Sequence, residues 1–225
     1  MESQSPVLAG LRDMVPFSLG IFASGTVYGV LSRSGHLTMG ETMTMSALVF
    51  AGSSQFVALE LLKQGAAWLA LVSAPFLVNM RQVLYGLSLG PYLKGTKAGK
   101  SAWLAHGLVD ENYAVTMVAF DGNRGSPSYF MGAGMGAFGP WIASSLAGFF
   151  LAAIIHQPFR WGLDFAFNGA LTGLLVAQIK SWWILGVVVV SALSALAAQL
   201  LLGPNWAIPV AALTACLMGL ITGEV

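Results

Sequence analysis

Charge is what this chain has least of. Ten basic and nine acidic residues amount to 8% of its 225 positions, where a soluble domain carries about a quarter. That scarcity excludes a water-facing surface over most of the molecule. The two signs nearly cancel, at a formal net charge of +1, so the basic excess of a nucleic-acid binder is missing as well. Cysteine is limited to Cys216, which excludes an internal disulfide and reads as small apolar packing. The three histidines, His36, His106 and His156, are far apart. No zinc or redox spacing occurs, and no metal or cofactor is expected.

What the chain has in quantity is apolar: 56% of residues are hydrophobic and the mean hydropathy is +0.76. A spanning helix needs about 20 mainly apolar residues. Eight such segments are predicted, at 15–31, 42–62, 67–89, 102–120, 129–155, 161–179, 182–202 and 206–221. The expected fold is therefore all-α: a polytopic integral membrane helical bundle of about eight hydrophobic segments, one of them broken or re-entrant. Loops are short, and residues 1–225 are expected to form a single transmembrane domain. The polar stretch 1–14 lacks the charge–apolar–cleavage order of a signal peptide and is expected to be retained.

Trp68, Trp103, Trp161, Trp182, Trp183 and Trp206 fall at predicted span ends, where amphipathic rings prefer the headgroup zone. Glycines four apart at Gly25/Gly29, Gly132/Gly136 and Gly169/Gly173 favour close helix packing. Lys94, Lys97 and Lys100 form the one concentrated basic loop, which the positive-inside rule places in the cytoplasm. Three full spans before it put the N-terminus outside; one re-entrant segment reverses that.

Charges inside a span cost about 2.5 kcal/mol or more on insertion scales, so each is a functional candidate. Four stand out: Arg81, Asp110, Glu111 and, near the start of the sixth segment, Asp164. Arg81 precedes the loop at Pro91, and Asp110 follows Ser101, by nearly equal lengths. Both therefore lie roughly 14 Å below one surface at 1.5 Å per residue. The third and fourth segments form an antiparallel hairpin, so Arg81 meets Asp110 or Glu111 near mid-depth. Tyr85 and His106 sit one turn shallower on matching faces. Two readings stand side by side. The cluster is either a structural ion pair or a transport site, in which Arg81 takes a substrate carboxylate and Asp110, Glu111 or His106 relays protons.

The second segment contains Phe50-Ala51-Gly52-Ser53-Ser54-Gln55-Phe56. Gly52, Ser53, Ser54 and Gln55 are poor choices for a lipid-facing helix. Unwound backbone is tolerated where it lines a cavity, and half-helix N-termini aim N–H groups at anions. Alternatively, the serines bond back to carbonyls one turn earlier and Gln55 bonds a neighbouring helix. Pro75 should kink the third segment and re-aim the turn from Asn79 to Arg81. Asp164, Asn168, Thr172 and Gln178 form a polar stripe in the sixth. The seventh, 182–202, is nearly featureless and suits a lipid-facing helix.

Together these blocks carry a resemblance. The order Val15-Pro16-Phe17-Ser18-Leu19-Gly20, Gly25, Gly29, the Phe50–Phe56 block and Asn79-Met80-Arg81-Gln82-Val83-Leu84-Tyr85-Gly86-Leu87-Ser88-Leu89 resembles the AzlC family, large subunits of bacterial branched-chain amino acid exporters. It is strongest over 11–93 and continues more weakly to Leu163-Asp164-Phe165. The resemblance implies a multi-pass permease of the bacterial inner (plasma) membrane. It would export branched-chain amino acids or similar small amphipathic solutes, without ATP-binding machinery and with a small AzlD-like membrane subunit. Where some members carry His after the Arg of the third segment, this chain has Gln82. Proton coupling then falls to His106, Asp110, Glu111 and Asp164. The substrate-binding candidates are Gly52, Ser53, Ser54, Gln55, Asn79, Arg81 and Tyr85. A homo-oligomer is compatible with this picture. The competing classes are a channel or structural membrane subunit and, more remotely, an intramembrane enzyme. Against the last, Asp110 and Glu111 are adjacent and point about 100° apart on a helix, a poor arrangement for chelating one metal.

Overall fold

In the computed structural model the described residues are 5–154, 172, 175–176, 179, 181–203 and 206–222. Their regular structure is entirely helical. Cα packing divides the chain into two compact units: Met1–Gly52 with Met80–His156, and Ser53–Asn79 with Gln157–Val225.

The first unit is built on two long helices, α1 (Pro6–Ser34) and α8 (Pro127–Ile154). Pro6 opens α1 in its first turn, where the missing N–H costs nothing. The helices run parallel, since contacts advance together along both. A Cβ on Gly132 would strike Val7, one on Gly10 would strike Tyr129, one on Gly136 would reach Met14 at 2.9 Å, and those on Gly25 and Gly29 would strike Ser144 and Ser145. Glycine at these positions lets backbone meet backbone, which is the packing role expected of Gly25/Gly29 and Gly132/Gly136. Pro140 inside α8 removes the N–H that would bond the Gly136 carbonyl. Ser18 of α1 donates its hydroxyl to that carbonyl at 3.5 Å. Two parallel spanning helices require an odd number of crossings between them.

Around this pair lie α2 (Met39–Leu48), α5 (Arg81–Leu89), α6 (Ala98–His106) and α7 (Asp110–Asp121). A 3-10 turn, Gly90–Leu93, follows α5. A capping box starts α2: Thr38 accepts from the Glu41 N–H, while the Glu41 carboxylate accepts from the Thr38 N–H at 2.8 Å. Ser46 of α2 donates to Ser145 of α8 at 3.1 Å, with both side chains buried. Leu89, Leu104, Leu108 and Phe130 form a core flanked by Tyr85 and Tyr113.

The second unit contains α3 (Gly52–Lys63), which begins on its boundary, α4 (Trp68–Asn79), α9 (Trp182–Leu202) and α10 (Ala207–Thr222). Gly65, at φ +63°, turns α3 into α4. Leu61, Ala66, Ala70 and Ala74 close that hairpin. Helix α10 packs on both α4 and α9. In α9 the buried set is Ala198 alone, so its apolar sides face outward, as a lipid-facing helix requires.

Among the described residues, three helices are long and apolar enough to cross a membrane: α1, α8 and α9. The expected count of eight is not established by helix length. The second, third and fourth predicted segments are each divided in two, whereas one broken segment was expected. The sixth, with Asp164, Asn168, Gln178 and the Gly169/Gly173 pair, lies almost wholly outside the described residues. At the first division Phe50 has φ +41°, a left-handed conformation that an aromatic residue adopts only under constraint. The second falls at Met80, whose backbone stays right-handed. Pro75 lies inside α4, so the interruption expected of it comes five residues later. At the third, Gly107 ends α6 and Val109 is extended before α7.

Candidate functional site

Two of these interruptions place opposite charges at helix starts. Arg81 begins α5, Asp110 begins α7, and their side chains meet at 2.9 Å between Nη1 and Oδ2. This is the pairing expected from depth. The side chains retain 29% and 41% exposure, so the pair is open on one side.

The local reason for Asp110 differs from expectation. Asp110 and Glu111 occupy the first turn of α7 and do not lie in the middle of a continuous helix. There the positive end of the helix dipole and its first-turn N–H groups favour carboxylates. The interruption also separates His106 from Asp110: they belong to different helices, so the expected one-turn spacing along a shared face does not apply. Glu111 lies within electrostatic range of both Asp110 and Arg81.

Tyr85, one turn along α5 from Arg81, is also within range of Arg81 and Asp110. Its ring stacks on Tyr113 at 4.3 Å, and the Tyr113 hydroxyl donates to Ser88 at 3.0 Å. The interruption itself is held by Asn112, which is fully buried. Its Nδ2 donates to the Gly107 carbonyl at 2.7 Å and to the Phe130 carbonyl at 3.5 Å, while its Oδ1 accepts from Thr116 at 3.1 Å. Sequence reasoning missed Asn112. Its signal was an amide two residues after the charged step and five after Gly107.

His106 ends α6 in an aromatic setting. Its ring lies 5.9 Å from each of Phe50, Trp103 and Phe138. These rings, with Met131 and Met135 of α8, line a predominantly apolar cavity. Beside it, Gly52 meets Trp141: a Cβ there would lie 2.9 Å from Cη2 of the indole. Trp141 also stacks on Tyr28 at 5.8 Å, and the Tyr28 hydroxyl donates to the Thr42 carbonyl at 3.4 Å.

Ser53, Ser54 and Gln55 fall in the opening turns of α3 in the second unit. Ser54 and Gln55 are completely buried. Both polar side-chain atoms of Gln55 lack a hydrogen-bond partner among the described residues, as does Oδ1 of Asn79 at the end of α4. The hairpin is antiparallel, so these two amides belong to the same end of it. Asp164 lies outside the described residues. No group of three His, Cys, Asp or Glu side chains able to hold a metal occurs among the described residues.

Long apolar helices, and interruptions that carry the ionisable side chains, define a helical integral membrane protein with a polar centre. Its sequence identifies the family: the AzlC protein family matches residues 16–155, and the chain belongs to it. The branched-chain amino acid transport protein AzlC of Bacillus subtilis is 27% identical over 196 residues, covering 77% of each chain. The inner membrane protein YgaZ of Escherichia coli is 25% identical over 194 residues, covering 81% of this chain and 77% of its own. A protein of Helicobacter pylori described as an uncharacterized membrane protein is 28% identical over 179 residues, covering 77% of each. No solved structure gives a significant match.

Proposed function

We propose that this protein is a secondary transporter that exports branched-chain amino acids, or similar small amphipathic solutes, across the bacterial inner (plasma) membrane. The observation that carries the reading is the ion pair between Arg81 and Asp110, formed at two helix interruptions and open on one side. A carrier has to present charge inside the bilayer without leaving it uncompensated in any state. Here the carboxylate of Asp110 satisfies Arg81 while the site is empty. A substrate carboxylate matches the guanidinium fork equally well, so exchange of one carboxylate for the other loads the site, and a proton taken up by Asp110 favours that exchange. Glu111 and His106 are the neighbouring proton carriers, with Asp164 proposed from sequence alone. Gly52, Ser53, Ser54, Gln55, Asn79 and Tyr85 complete the substrate-facing set.

The family, and a Bacillus subtilis relative named as a branched-chain amino acid transport protein, support transport over enzymatic chemistry. The parallel course of α1 and α8 supports counting α2 with α3, α4 with α5, and α6 with α7 as three crossings, within one permease domain. A small AzlD-like membrane subunit is the proposed partner. The test is export from proteoliposomes loaded with radiolabelled leucine, isoleucine or valine, with and without that subunit. Saturable efflux driven by a pH gradient is expected. Nonsaturating flux would instead make the protein a channel, and flux indifferent to the pH gradient would remove proton coupling.

A further inference from the structure

One residue of the substrate-facing set stands apart in what it lacks. Gln55 is completely buried, and neither its Nε2 nor its Oε1 has a hydrogen-bond partner among the described residues. Each buried polar atom left unpaired carries an uncompensated desolvation penalty, and such atoms are rare in native structures. A side chain that brings two of them is a poor choice for packing alone.

The helix that carries Gln55 offers it nothing. One turn away along α3 lie Gly52, Ala58 and Leu59, and Ala51 precedes the helix. None of these side chains has a polar atom, and Ala58 and Leu59 are themselves buried. A glutamine near a helix start can fold back on the open N–H groups there, but Oε1 takes none of them. Asn79 Oδ1, at the same end of the hairpin, is likewise buried and unpaired among the described residues. Unpaired acceptors therefore outnumber unpaired donors at that end.

The chemistry of the amide defines what completes it. A glutamine side chain presents an acceptor and an N–H donor side by side, and turning it over merely exchanges them. A bare anion satisfies only Nε2, and a bare cation only Oε1. An α-amino acid satisfies both, because its ammonium and its carboxylate sit on adjacent carbons. The same two-point match lets an amide read the neighbouring acceptor and donor on an adenine edge. The ammonium has further protons for a second acceptor, and a neutral amide supplies the pairing without placing another charge in the bilayer.

We propose that Gln55 recognises the head group of an α-amino acid: Oε1 accepts from the substrate ammonium while Nε2 donates to its carboxylate. This rests on the transport reading and adds to it the selection of amino acids over plain carboxylic acids, which a guanidinium fork alone does not distinguish.

The experiment uses purified full-length protein, equilibrium binding of leucine, isocaproate and leucinol, and thermal unfolding without ligand. Isocaproate is leucine without its ammonium, and leucinol is leucine with its carboxylate reduced to an alcohol. Gln55→Met keeps the length of the side chain and removes both polar atoms. Without ligand the variant should unfold at the wild-type temperature or above it, because no protein bond is lost. A lower Tm means that the chain itself satisfies the amide, and overturns the proposal. The preference of the wild type for leucine over isocaproate should fall about tenfold in the variant. A merely structural role would weaken both ligands equally, and that unchanged ratio overturns the ammonium contact. The preference for leucine over leucinol should fall likewise, and an unchanged ratio there overturns the carboxylate contact. A wild type that binds none of the three refutes the transport reading on which the proposal rests. A wild type that binds leucine, beside a variant with unaltered preferences, refutes the proposal alone.

Discussion

Helices α1 and α8 run 29 and 28 residues without interruption, while the three predicted segments between them are all divided. The difference follows the distribution of small and polar side chains. In the long pair, glycines face backbone, and serines and threonines bond carbonyls, as Thr26 does to Phe22 at 2.8 Å and Ser32 to Tyr28 at 2.8 Å. These hydroxyls are spent within the scaffold. In the divided segments the polar groups point to other uses: Arg81 and Asp110 compensate one another, while Gln55 and Asn79 hold polar atoms that nothing in the described structure satisfies. One region packs backbone on backbone, and the other holds the residues of the proposed site.

The comparison is broken most severely at Arg81. Arg81→Lys keeps the charge but loses the planar fork. Proteoliposome efflux should fall to background while the protein still assembles, and normal efflux would remove the substrate role. Asp110→Asn should remove the dependence of efflux on the pH gradient, with Glu111→Gln affecting it less. A larger effect of Glu111→Gln would move the coupling site one residue. In the scaffold the expected loss is of stability. Gly29→Leu drives a side chain into the Ser145 backbone and should cost about 1–3 kcal/mol or more, read as a lowered Tm. Gly20→Ala, where nothing lies within 4 Å, should be close to neutral. Ser46→Ala removes one buried hydrogen bond to Ser145 and should cost about 1 kcal/mol.

The smallest effect lies at the start of α2, just before the predicted span. Two hydrogen bonds from Thr38, backbone first, hold Glu41 below the ordinary carboxylate range. A carboxyl group whose pKa falls on folding contributes stability above its unfolded pKa and loses it as the pH drops through the folded value. Thermal unfolding should therefore show a slight acid-side loss below the usual glutamate range, absent in Glu41→Gln.

Much of this was legible in the sequence because burying charge in a membrane leaves so few solutions. The depth match of Arg81 with Asp110 needed only the rise of a helix and the position of a loop, and the polar run after Phe50 marked a division that falls at Val49–Ala51. The other divisions were hidden by composition. Met80 is an ordinary apolar residue, and Gly107 was one glycine among 27. Reading through Gly107 put Asp110 and Glu111 in mid-helix, so the structural reason for their position, a helix start, went unseen. Trp141 stayed silent for another reason: an aromatic residue in an apolar run looks like packing, and only the three-dimensional structure reveals that its N–H lacks a hydrogen-bond partner among the described residues.

The parallel contact of α1 with α8 bears on motion. Where backbone meets backbone through Gly10, Gly29, Gly132 and Gly148, no compressible side chain lies between the helices, so neither can slide or roll without a collision along much of its length. The pair behaves as a keel. Under the proposed transport role, alternation between inward and outward access falls to the divided helices, at their interruptions, and not to this pair.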